Sequence, residues 1–411
     1  MDSVVLLHLL HTLAPHFEWR LSALHVHHGI SPNADAWADF CRDLSARQGI
    51  PLHIQRVDIA PLRDRHGIEA AARKLRHAAF AGADCDAVAL AHHADDQAET
   101  MLLQLLRGAG IKGGAAMPVF RPATRDTPAT VRPLLDVPRS LLREYARHHD
   151  LRWVEDESNA DEHYPRNFLR HRLLPLLEER FPAYRETLVR SAGHFAETCR
   201  LLDELARQDA QGQALDVALD IRSLRELAGH RAKNLLRHFL QVRGAPMPHS
   251  AQLDEMLHQL LAARDDAAVC IGFGDWQLRR YQGKAYVSRT PGSFDRSLAL
   301  PWQGESALPW PALDAVIHFR DSRRQGISLA KLRRAPVTLR LRSGGESLRP
   351  GPAAATRSLK NLLQEHHVPP WRRERLPLLY SGEQLVCVVG VAIHAEYQAA
   401  AGEAGVLVSL A

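Results

Sequence analysis

The residues with the most chemistry in this chain lie between His92 and Gly110, where two histidines, two adjacent aspartates and a glutamate come close together. The apolar run 87–91 before them predicts a buried parallel strand, and 101–106 after them predicts a helix. Parallel α/β sheets bind ligands at the carboxyl ends of their strands. Charged groups gathered there are costly unless they bind a charged ligand or a metal ion. The segment is therefore a candidate functional site.

A second polar cluster, His25 to Gly29, follows a predicted strand and falls on the same sheet edge. For any single histidine, a strand cap or a core hydrogen bond is the simpler interpretation. A dinuclear metal site is a further possibility, built from His25, His27, His92, His93, Asp95 and Asp96. Arg107 beside Gly108 suits a phosphate, whereas a helix C-cap with a left-handed Gly108 is the plain alternative.

Strands and helices alternate in the first half of the chain, which predicts a parallel sheet covered by helices. We predict strands at 21–26 and 52–57, and helices at 34–48, 68–81 and 136–149. The region 168–204 is helical in pattern, with breaks at Pro175 and Pro182. Later elements are predicted helices at 221–242, 250–263 and 358–366, a β-rich patch at 268–288, and strands at 337–341 and 385–391.

The composition is that of a globular protein, with 45% apolar and 24% charged residues. Five scattered cysteines without a C-x-x-C pair argue against a disulfide framework or a zinc site and favour the cytoplasm. No apolar run approaches the roughly 20 residues that cross a bilayer, and we expect no signal peptide. The net charge of +5 is compatible with an RNA partner but does not establish one.

Taken together, these segments resemble the tRNA(Ile)-lysidine synthetases, a family of the PP-loop ATP pyrophosphatase superfamily. The matching stretches are 25–29 with 33–35, 67–73, 92–110, 132–135, 155–159, 166–170, 369–372 and 376–379. The resemblance implies an α/β parallel-sheet PP-loop domain (adenine nucleotide alpha-hydrolase-like), a mainly helical domain and a small α+β C-terminal domain. We expect these domains at 1–185, 186–290 and 331–411, with a linker at 291–330.

The family implies a cytoplasmic ligase that uses ATP and Mg²⁺ to join free lysine to the wobble cytidine of tRNA(Ile) with a CAU anticodon. The cytidine C2 oxygen attacks the α-phosphate of ATP, pyrophosphate leaves, and the lysine ε-amine then displaces AMP. The first step needs cations around the phosphates, and the second needs a carboxylate that accepts a proton. No membrane is involved, and a homodimer is retained as an expectation.

The resemblance assigns roles to individual residues of this chain. Expected catalytic residues are Asp2, Arg107 and Asp96. Expected ATP-binding residues are Asp2, Ser3, His27, His92, Arg107 and Gly108. The lysine pocket is expected at Asp136, Glu155, Asp156 and Glu157, although a solvated turn also explains the last three. Mg²⁺ is expected at Asp95 and Asp96.

Expected tRNA contacts are Arg73, Arg166, Arg170, Lys360, Arg372 and Arg373. For Arg166 and Arg170, four residues apart on one helical face, a helix-surface salt bridge is the simpler alternative. Trp371, among these C-terminal basic residues, suits either a stacked base or an anchor in the core.

The nucleotide loop of the superfamily has the pattern Ser-Gly-Gly-x-Asp-Ser, and this chain opens with Met1-Asp2-Ser3. We expect a start site assigned too late. A genuine truncation is the alternative, and it predicts weak or no ATP hydrolysis because the glycines cradle the phosphates. Without the first strand, the parallel sheet should show a gap or an unpaired edge.

Two other functions remain open at this point. Another PP-loop tRNA-modifying enzyme, such as a thiolase, would normally need paired cysteines or an iron–sulfur cluster, and this chain has no suitable pair. A non-catalytic tRNA-binding remnant would explain the missing glycines. It would give little physical reason for 92–99 and 155–159 to persist together.

Overall fold

The structure, a computed structural model, describes residues 1–124, 127–264, 267, 269–290, 292, 295, 297–313, 315–323 and 325–410. The chain divides into two compact units, Met1–Gln208 and Asp209–Ala411. All five cysteines are free, as their scatter predicts. Within the described residues, no helix combines the length and apolar character that a membrane crossing requires.

In the first unit, strands and helices alternate as predicted. The elements are α1 (Asp2–Phe17), β1 (Ala23–His27), α2 (Ala34–Gln48), β2 (Leu52–Arg56), α3 (Ala60–His66), α4 (Ile68–Ala81), β3 (Ala87–Ala89), α5 (Ala94–Leu106), α6 (Ile111–Gly114), β4 (Phe120–Arg121), β5 (Ala129–Val131), α7 (Arg139–His148), α8 (Pro165–Phe168), α9 (Leu174–Arg180) and α10 (Tyr184–Asp209). A 3₁₀ turn, Glu157–Ala160, precedes α8, and a π-helical turn, Leu169–Leu173, joins α8 to α9.

The parallel strands of this unit form two separate sheets. In one, β1 pairs with β2, from Ala23 opposite Leu52 to His27 opposite Arg56. In the other, β3 pairs in parallel with β5, and β4 adds an antiparallel edge. The predicted α/β class with parallel strands is confirmed. Strands β1 and β3 are not hydrogen-bonded neighbours, and each lies at the edge of its own sheet.

Prolines set two helix boundaries that the sequence pattern places differently. Helix α7 begins at Arg139 rather than at 136, because Pro138 has extended backbone and occupies the N-cap. Pro175 does not break the helical region: the π-helical turn Leu169–Leu173 comes directly before α9, and the backbone stays helical through Leu173 and Leu174. Helices α1 and α7 pack together through a small core that includes Val5, Leu6 and Leu142.

In the second unit, a helical part precedes a β-rich part. The elements are β6 (Leu219–Asp220), α11 (Ile221–Glu226), α12 (Gly229–Val242), α13 (Ser250–Ala262), β7 (Cys270–Phe273), β8 (Trp276–Tyr281), β9 (Lys284–Arg289), β10 (Ala299–Pro301), β11 (Ala307–Trp310), β12 (Ala315–Ser322), β13 (Ile327–Ser328), α14 (Leu329–Leu332), β14 (Val337–Arg340), β15 (Ser347–Leu348), β16 (Arg357–Ser358), α15 (Leu359–Glu365), α16 (Pro370–Arg373), β17 (Leu378–Ser381), β18 (Gln384–Val388), β19 (Ala392–Ile393) and β20 (Gly405–Leu410). Short 3₁₀ turns occur at Pro311–Leu313 and Ala395–Tyr397.

Three larger sheets organise this unit, in the strand orders β6-β9-β8-β7, β10-β14-β17-β18-β19 and β11-β12-β20-β13. The first carries the β-rich patch predicted at 268–288. The other two share a core that includes Trp302, Trp310, Phe319, Leu339 and Val386.

The prediction of a linker at 291–330 is wrong for the described part of that segment. Strands β10 to β13 all lie in it, and Trp310 and Ile317 are fully buried in the C-terminal core. The proline, glycine and serine residues that suggested a linker instead punctuate short strands. The C-terminal domain therefore begins before residue 331.

Replacing Trp310 with alanine tests this correction. The variant should lose about 3–5 kcal/mol of unfolding free energy, because a fully buried tryptophan leaves a large cavity. Urea unfolding measures the loss. Val217→Ala is the control, since Val217 is 52% exposed and should change stability by less than about 0.5 kcal/mol. Equal small effects from both variants would restore the linker interpretation.

Candidate functional site

The N-terminus of α5 is where the predicted site residues meet. His93 caps the helix, because its Nδ1 accepts a hydrogen bond from the Asp96 backbone N–H at 3.4 Å. The Asp96 carboxylate accepts one in return from the His93 N–H at 3.1 Å. This reciprocal cap holds Asp95 and Asp96 in the first turn, where the helix dipole favours negative charge.

Two arginines from the segment 165–173 pair with the carboxylates of α5. Glu99, with a side chain only 1% exposed, accepts hydrogen bonds from Arg166 Nε and Arg170 Nε, both at 2.7 Å. Asp96 Oδ1 lies 2.9 Å from Arg166 Nη2 and 3.3 Å from Arg170 Nη2. Burial opposes the charge of Arg170, but Glu99 and Asp96 outweigh it and raise the pKa of this guanidinium. The two pairs of opposite charges balance each other.

Two further pairs extend this arrangement to other helices. Arg185 Nε donates to Asp95 Oδ1 at 2.8 Å, and the Arg139 backbone N–H donates to Asp95 Oδ2 at 2.9 Å. Asp2 Oδ1 lies 3.6 Å from Arg139 Nε, and no described group hydrogen-bonds to either of these buried atoms. We call the whole set of four acids and four arginines the charge lattice: Asp2, Asp95, Asp96, Glu99, Arg139, Arg166, Arg170 and Arg185.

The lattice does not fit a preformed magnesium site. Asp95 and Asp96, the predicted ligands, already accept hydrogen bonds from guanidiniums and backbone N–H groups. Within the residues that the structure describes, no three His, Cys, Asp or Glu side chains come together as metal ligands. The dinuclear alternative thus finds no supporting geometry, and Mg²⁺ at Asp95 and Asp96 stays a prediction.

His92 lies beside a buried arginine at the end of β3. Arg132, 5% exposed, donates from Nε to His92 Nδ1 at 3.2 Å and from Nη1 to the Pro118 carbonyl at 2.8 Å. Burial, together with Arg132 and neighbouring arginines, lowers the pKa of His92 to about 3. His92 is therefore a neutral hydrogen-bonding group near neutral pH.

His27, the other predicted ATP-binding histidine, is buried at the carboxyl end of β1. Its Nε2 lies 3.2 Å from Asp35 Oδ1, and Arg56 Nη2 lies 2.6 Å from the same oxygen. The Arg56 guanidinium lowers the pKa of Asp35, so this exposed carboxylate stays charged. His27 ends β1, whereas His92 follows β3 in the other parallel sheet, so hydrogen-bonded strands do not give the two histidine clusters the shared sheet edge that we expected. Ser3 is exposed on the first turn of α1.

The structure does not bring Arg107 to the charge lattice, and its predicted catalytic and ATP-binding roles stay predictions. Arg107 is the exposed C-cap of α5, and the helix rise of ~1.5 Å per residue puts it about 16 Å along the axis from Asp96. Gly108 has a φ of +71° and its N–H donates to the Leu105 carbonyl, so the C-cap alternative is what the backbone shows. Helix α5 therefore separates the acidic start of the segment 92–110 from Arg107 and Gly108 near its end.

The predicted lysine-binding residues are all exposed. Glu157 accepts hydrogen bonds from the Ser31 hydroxyl at 2.5 Å and from Asn33 Nδ2 at 3.3 Å. Asp156 caps the 3₁₀ turn through the Ser158 N–H. These contacts match the solvated-turn alternative. Asp136 lies next to Val137, whose carbonyl accepts from the Ala94 N–H at the start of α5.

Five of the six predicted tRNA contacts fall into two groups, and Arg373 belongs to neither. Arg73, Lys360 and Arg372 are exposed and free to face a partner surface. Arg166 and Arg170 bind Asp96 and the buried Glu99 of α5, so their contacts are ion pairs between helices rather than the helix-surface salt bridge of the simpler alternative. Their role in RNA binding stays a prediction.

Arg373 and Trp371 take part in a junction between α16 and the sheet of β8 and β9. Arg373 donates to the Val368 carbonyl at 2.8 Å and to the Tyr281 hydroxyl at 3.0 Å. The Arg279 guanidinium lies 5.1 Å from the centre of the Trp371 ring, and the Tyr286 ring meets it edge-on. The anchor interpretation of Trp371 therefore describes its contacts.

Sequence reasoning assigned no role to Arg139, Arg185, Glu99 or Arg132. One sequence signal does point to arginine partners in general. Asp95, Asp96 and Glu99 lie within two turns of α5, and three acids on a buried helix need cationic partners. Glu99 lies in the matching stretch 92–110 and Arg132 in the matching stretch 132–135, so the resemblance covers both residues without giving either a role. No sequence pattern pairs Arg185 with Asp95, since 90 positions separate them.

Comparisons with known proteins relate the sequence of this chain to one enzyme family. Family models match residues 1–177 (PP-loop domain), 219–286 (TilS substrate binding domain) and 337–410 (TilS substrate C-terminal domain). The tRNA(Ile)-lysidine synthase of Nitrosomonas europaea is 43% identical over 410 residues, which cover 100% of this chain and 89% of that protein. The same enzyme of Coxiella burnetii is 38% identical, over 98% of this chain and 90% of the relative.

Similarity to solved structures is weaker. A U34-tRNA thiolase of Methanococcus maripaludis aligns with a TM-score of 0.38 and 18% identity, over 48% of this chain and 69% of that one. A TilS C-terminal domain aligns with a TM-score of 0.23 and 16% identity, over 28% of this chain and 96% of that one. Neither alignment is close enough to support a conclusion about function.

Removing Glu99 tests the energetic weight of the lattice. Glu99→Ala leaves two largely buried guanidiniums facing one carboxylate, and we expect a loss of about 3–5 kcal/mol in urea unfolding. Glu162→Ala is the matched control. It breaks a pair with Arg172 whose side chains are 38% and 66% exposed, and should cost at most about 1 kcal/mol. Similar small losses for both would show that the lattice is not buried in solution.

His92 should make stability depend on pH. Between about pH 6.5 and 3, the unfolded chain binds a proton at His92 that the folded chain does not, so stability is lost as the pH falls. His92→Asn should therefore reduce the slope of unfolding free energy against pH, by at most ~1.4 kcal/mol per unit. Urea unfolding at several values between pH 6.5 and 4 measures this. His53→Asn, at an exposed position on β2, serves as the control, and equal slopes in both variants would contradict the prediction.

Proposed function

The chain belongs to the tRNA(Ile)-lysidine synthase family, and on that premise we propose that it joins lysine to cytidine C2 of tRNA(Ile) at the expense of ATP. The observation that carries this proposal is the 43% identity to a curated member over the full length of this chain. The three matching domain models have the same order along the chain as the expected catalytic, middle and C-terminal parts. We further propose a cytoplasmic location, and we retain a homodimer as an expectation.

The reaction that we propose has two steps. The cytidine C2 oxygen attacks the α-phosphorus of ATP, the bond to pyrophosphate breaks, and an adenylated cytidine forms. The neutral ε-amine of lysine then attacks C2, AMP leaves with the electron pair of the C2–O bond, and a proton passes to a base. The chain must therefore stabilise negative charge at a phosphate and bind a cationic amino acid.

For the first step, we propose Asp2 and Arg139. Asp2 Oδ1 and Arg139 Nε are buried, face each other at 3.6 Å and lack a described hydrogen-bond partner, and a bound polar ligand would supply the missing partners. The Arg139 guanidinium would donate to a phosphate oxygen, and Asp2 would accept from a hydroxyl or amine of the nucleotide. His92 and His27 remain the proposed ATP-binding histidines, and we assign no step to Mg²⁺.

For the second step, the charge lattice suits lysine better than the exposed turn at 155–157. Free lysine carries one carboxylate and two ammonium groups near neutral pH. Arg166 and Arg170 could release part of their pairing to the lysine carboxylate, while Asp96 and Glu99 could bind an ammonium and accept its proton. The lattice already places these charges in a largely buried site, with Glu99 only 1% exposed, where they act more strongly than in bulk water. Asp136 remains a second proposed contact, because it lies beside the α5 N-terminus.

A direct assay tests the function and the role of Arg139 together. Purified protein should transfer radiolabelled lysine to a tRNA(Ile) transcript with a CAU anticodon, and should release AMP and pyrophosphate only when ATP is present. Arg139→Gln should lower kcat by at least about tenfold, as expected when a charge-stabilising donor is lost. Arg47→Ala, on the exposed last turn of α2, should leave the rate unchanged.

Absence of ATP-dependent lysine transfer by the wild-type chain would refute the proposed function. Unchanged kcat in Arg139→Gln would refute only the role of Arg139. A change in KM for tRNA alone would likewise remove Arg139 from the chemistry.

A further inference from the structure

The buried guanidinium of Arg132 lies outside the charge lattice and has no part in the roles assigned above. Arg132 is 5% exposed, and its described hydrogen-bond partners are the neutral His92 and the Pro118 carbonyl. Among the described residues, no carboxylate pairs with this guanidinium. A buried charge without an opposite charge is expensive, so such a group is retained where a ligand supplies the opposite charge.

The backbone register places a second arginine beside it. In the antiparallel pair of β4 and β5, Arg121 lies opposite Thr130, and Arg132 follows two positions later on the same face. The Arg132 N–H donates to the Val119 carbonyl at 2.8 Å, which continues the register. Arg121 and Arg132 are therefore diagonal neighbours, about 7–8 Å apart at their Cα atoms. Two positive charges at this spacing repel each other.

Helix α4 adds further positive charge to the same place. Arg73 and Arg76 are exposed on this helix, and both act with Arg121 and Arg132 on His77. Burial lowers the pKa of Arg132, and Arg121 and Arg73 lower it further. Burial also lowers the pKa of His77, and all four arginines add to the shift, so these groups experience a shared positive potential.

We propose that Arg132, Arg121 and Arg73 form a binding site for backbone phosphates of the RNA substrate. The site deepens the proposed function and rests on it. Arg132 forms its floor, and the exposed Arg121 and Arg73 form its rim. Arginine forks match phosphate oxygens in pairs, and the anion removes the repulsion between the three guanidiniums.

The shape of the site favours a polynucleotide over ATP. The rim spans a strand edge and a separate helix, both exposed to solvent, so several phosphates along a chain can be reached at once. Strand β4 is an edge strand, and nothing among the described strands covers its outer side. His92 connects Arg132 to the proposed ATP-binding residues, so a nucleotide held here would lie next to the proposed nucleotide site.

Salt-dependent binding of the tRNA(Ile) transcript to the full chain tests the proposal. Arg121→Gln should weaken binding several-fold and reduce the slope of log K against log salt by about 0.7 to 0.9, the value for one lost phosphate contact. Arg132→Gln should do the same if it folds; if it does not, Arg121→Gln alone decides. KM for ATP should not change. Arg47→Ala controls for the loss of one exposed arginine and should keep the wild-type slope.

Two results would overturn the proposal. One is an unchanged slope and affinity in Arg121→Gln. The other is a raised KM for ATP with an unchanged tRNA slope, which would assign the anion to the nucleotide. If the wild type transfers no lysine while Arg121→Gln still reduces the salt slope by about 0.7 to 0.9, the RNA site stands and the proposed function fails.

Discussion

The buried ion pairs between Glu99 and the guanidiniums of Arg166 and Arg170 are the constraint on which the first unit depends. A carboxylate with 1% of its side chain exposed is tolerated only when its charge is matched and its oxygens accept hydrogen bonds. Both arginines come from a segment more than 60 positions away in sequence. The pairs therefore fix that segment against α5, and the capped N-terminus of α5 holds Asp95 and Asp96 for their own partners.

In the charge lattice, arginines rather than a metal ion balance the charge of the acids, and the described residues contain no cluster of metal ligands there. Asp95 pairs with Arg185, whereas Asp96 and Glu99 share Arg166 and Arg170. Asp2 and Arg139 are close without a hydrogen bond. A ligand that carries both a carboxylate and an ammonium can exchange with such pairs at little net electrostatic cost. A purely anionic ligand is better matched to the excess positive charge around Arg132. Two regions of one unit thus have electrostatics suited to two different substrates.

Much of the fold follows from the sequence because its signals are local. The helices at 34–48 and 68–81 have the predicted bounds, since glycines at 49 and 67 mark an end and a start. The segment 291–330 was misjudged because very short strands punctuated by proline and glycine look like a linker until their tryptophans are found in a core. Arg107 lies away from the charge lattice because closeness in sequence along a helix becomes distance in space. The partners of Asp95, Asp96 and Glu99 could not be assigned, because long-range ion pairs leave no periodic trace.

Hydrogen–deuterium exchange of the wild-type chain with lysine and ATP would test most directly whether the charge lattice is a substrate site. If lysine enters the lattice, amides of 93–99 and 165–170 should exchange more slowly when lysine is added, and those of 155–157 should change little. Protection confined to 155–157, under conditions where lysine transfer proceeds, would show that the lattice is structural and that the substrate binds at the exposed acidic turn.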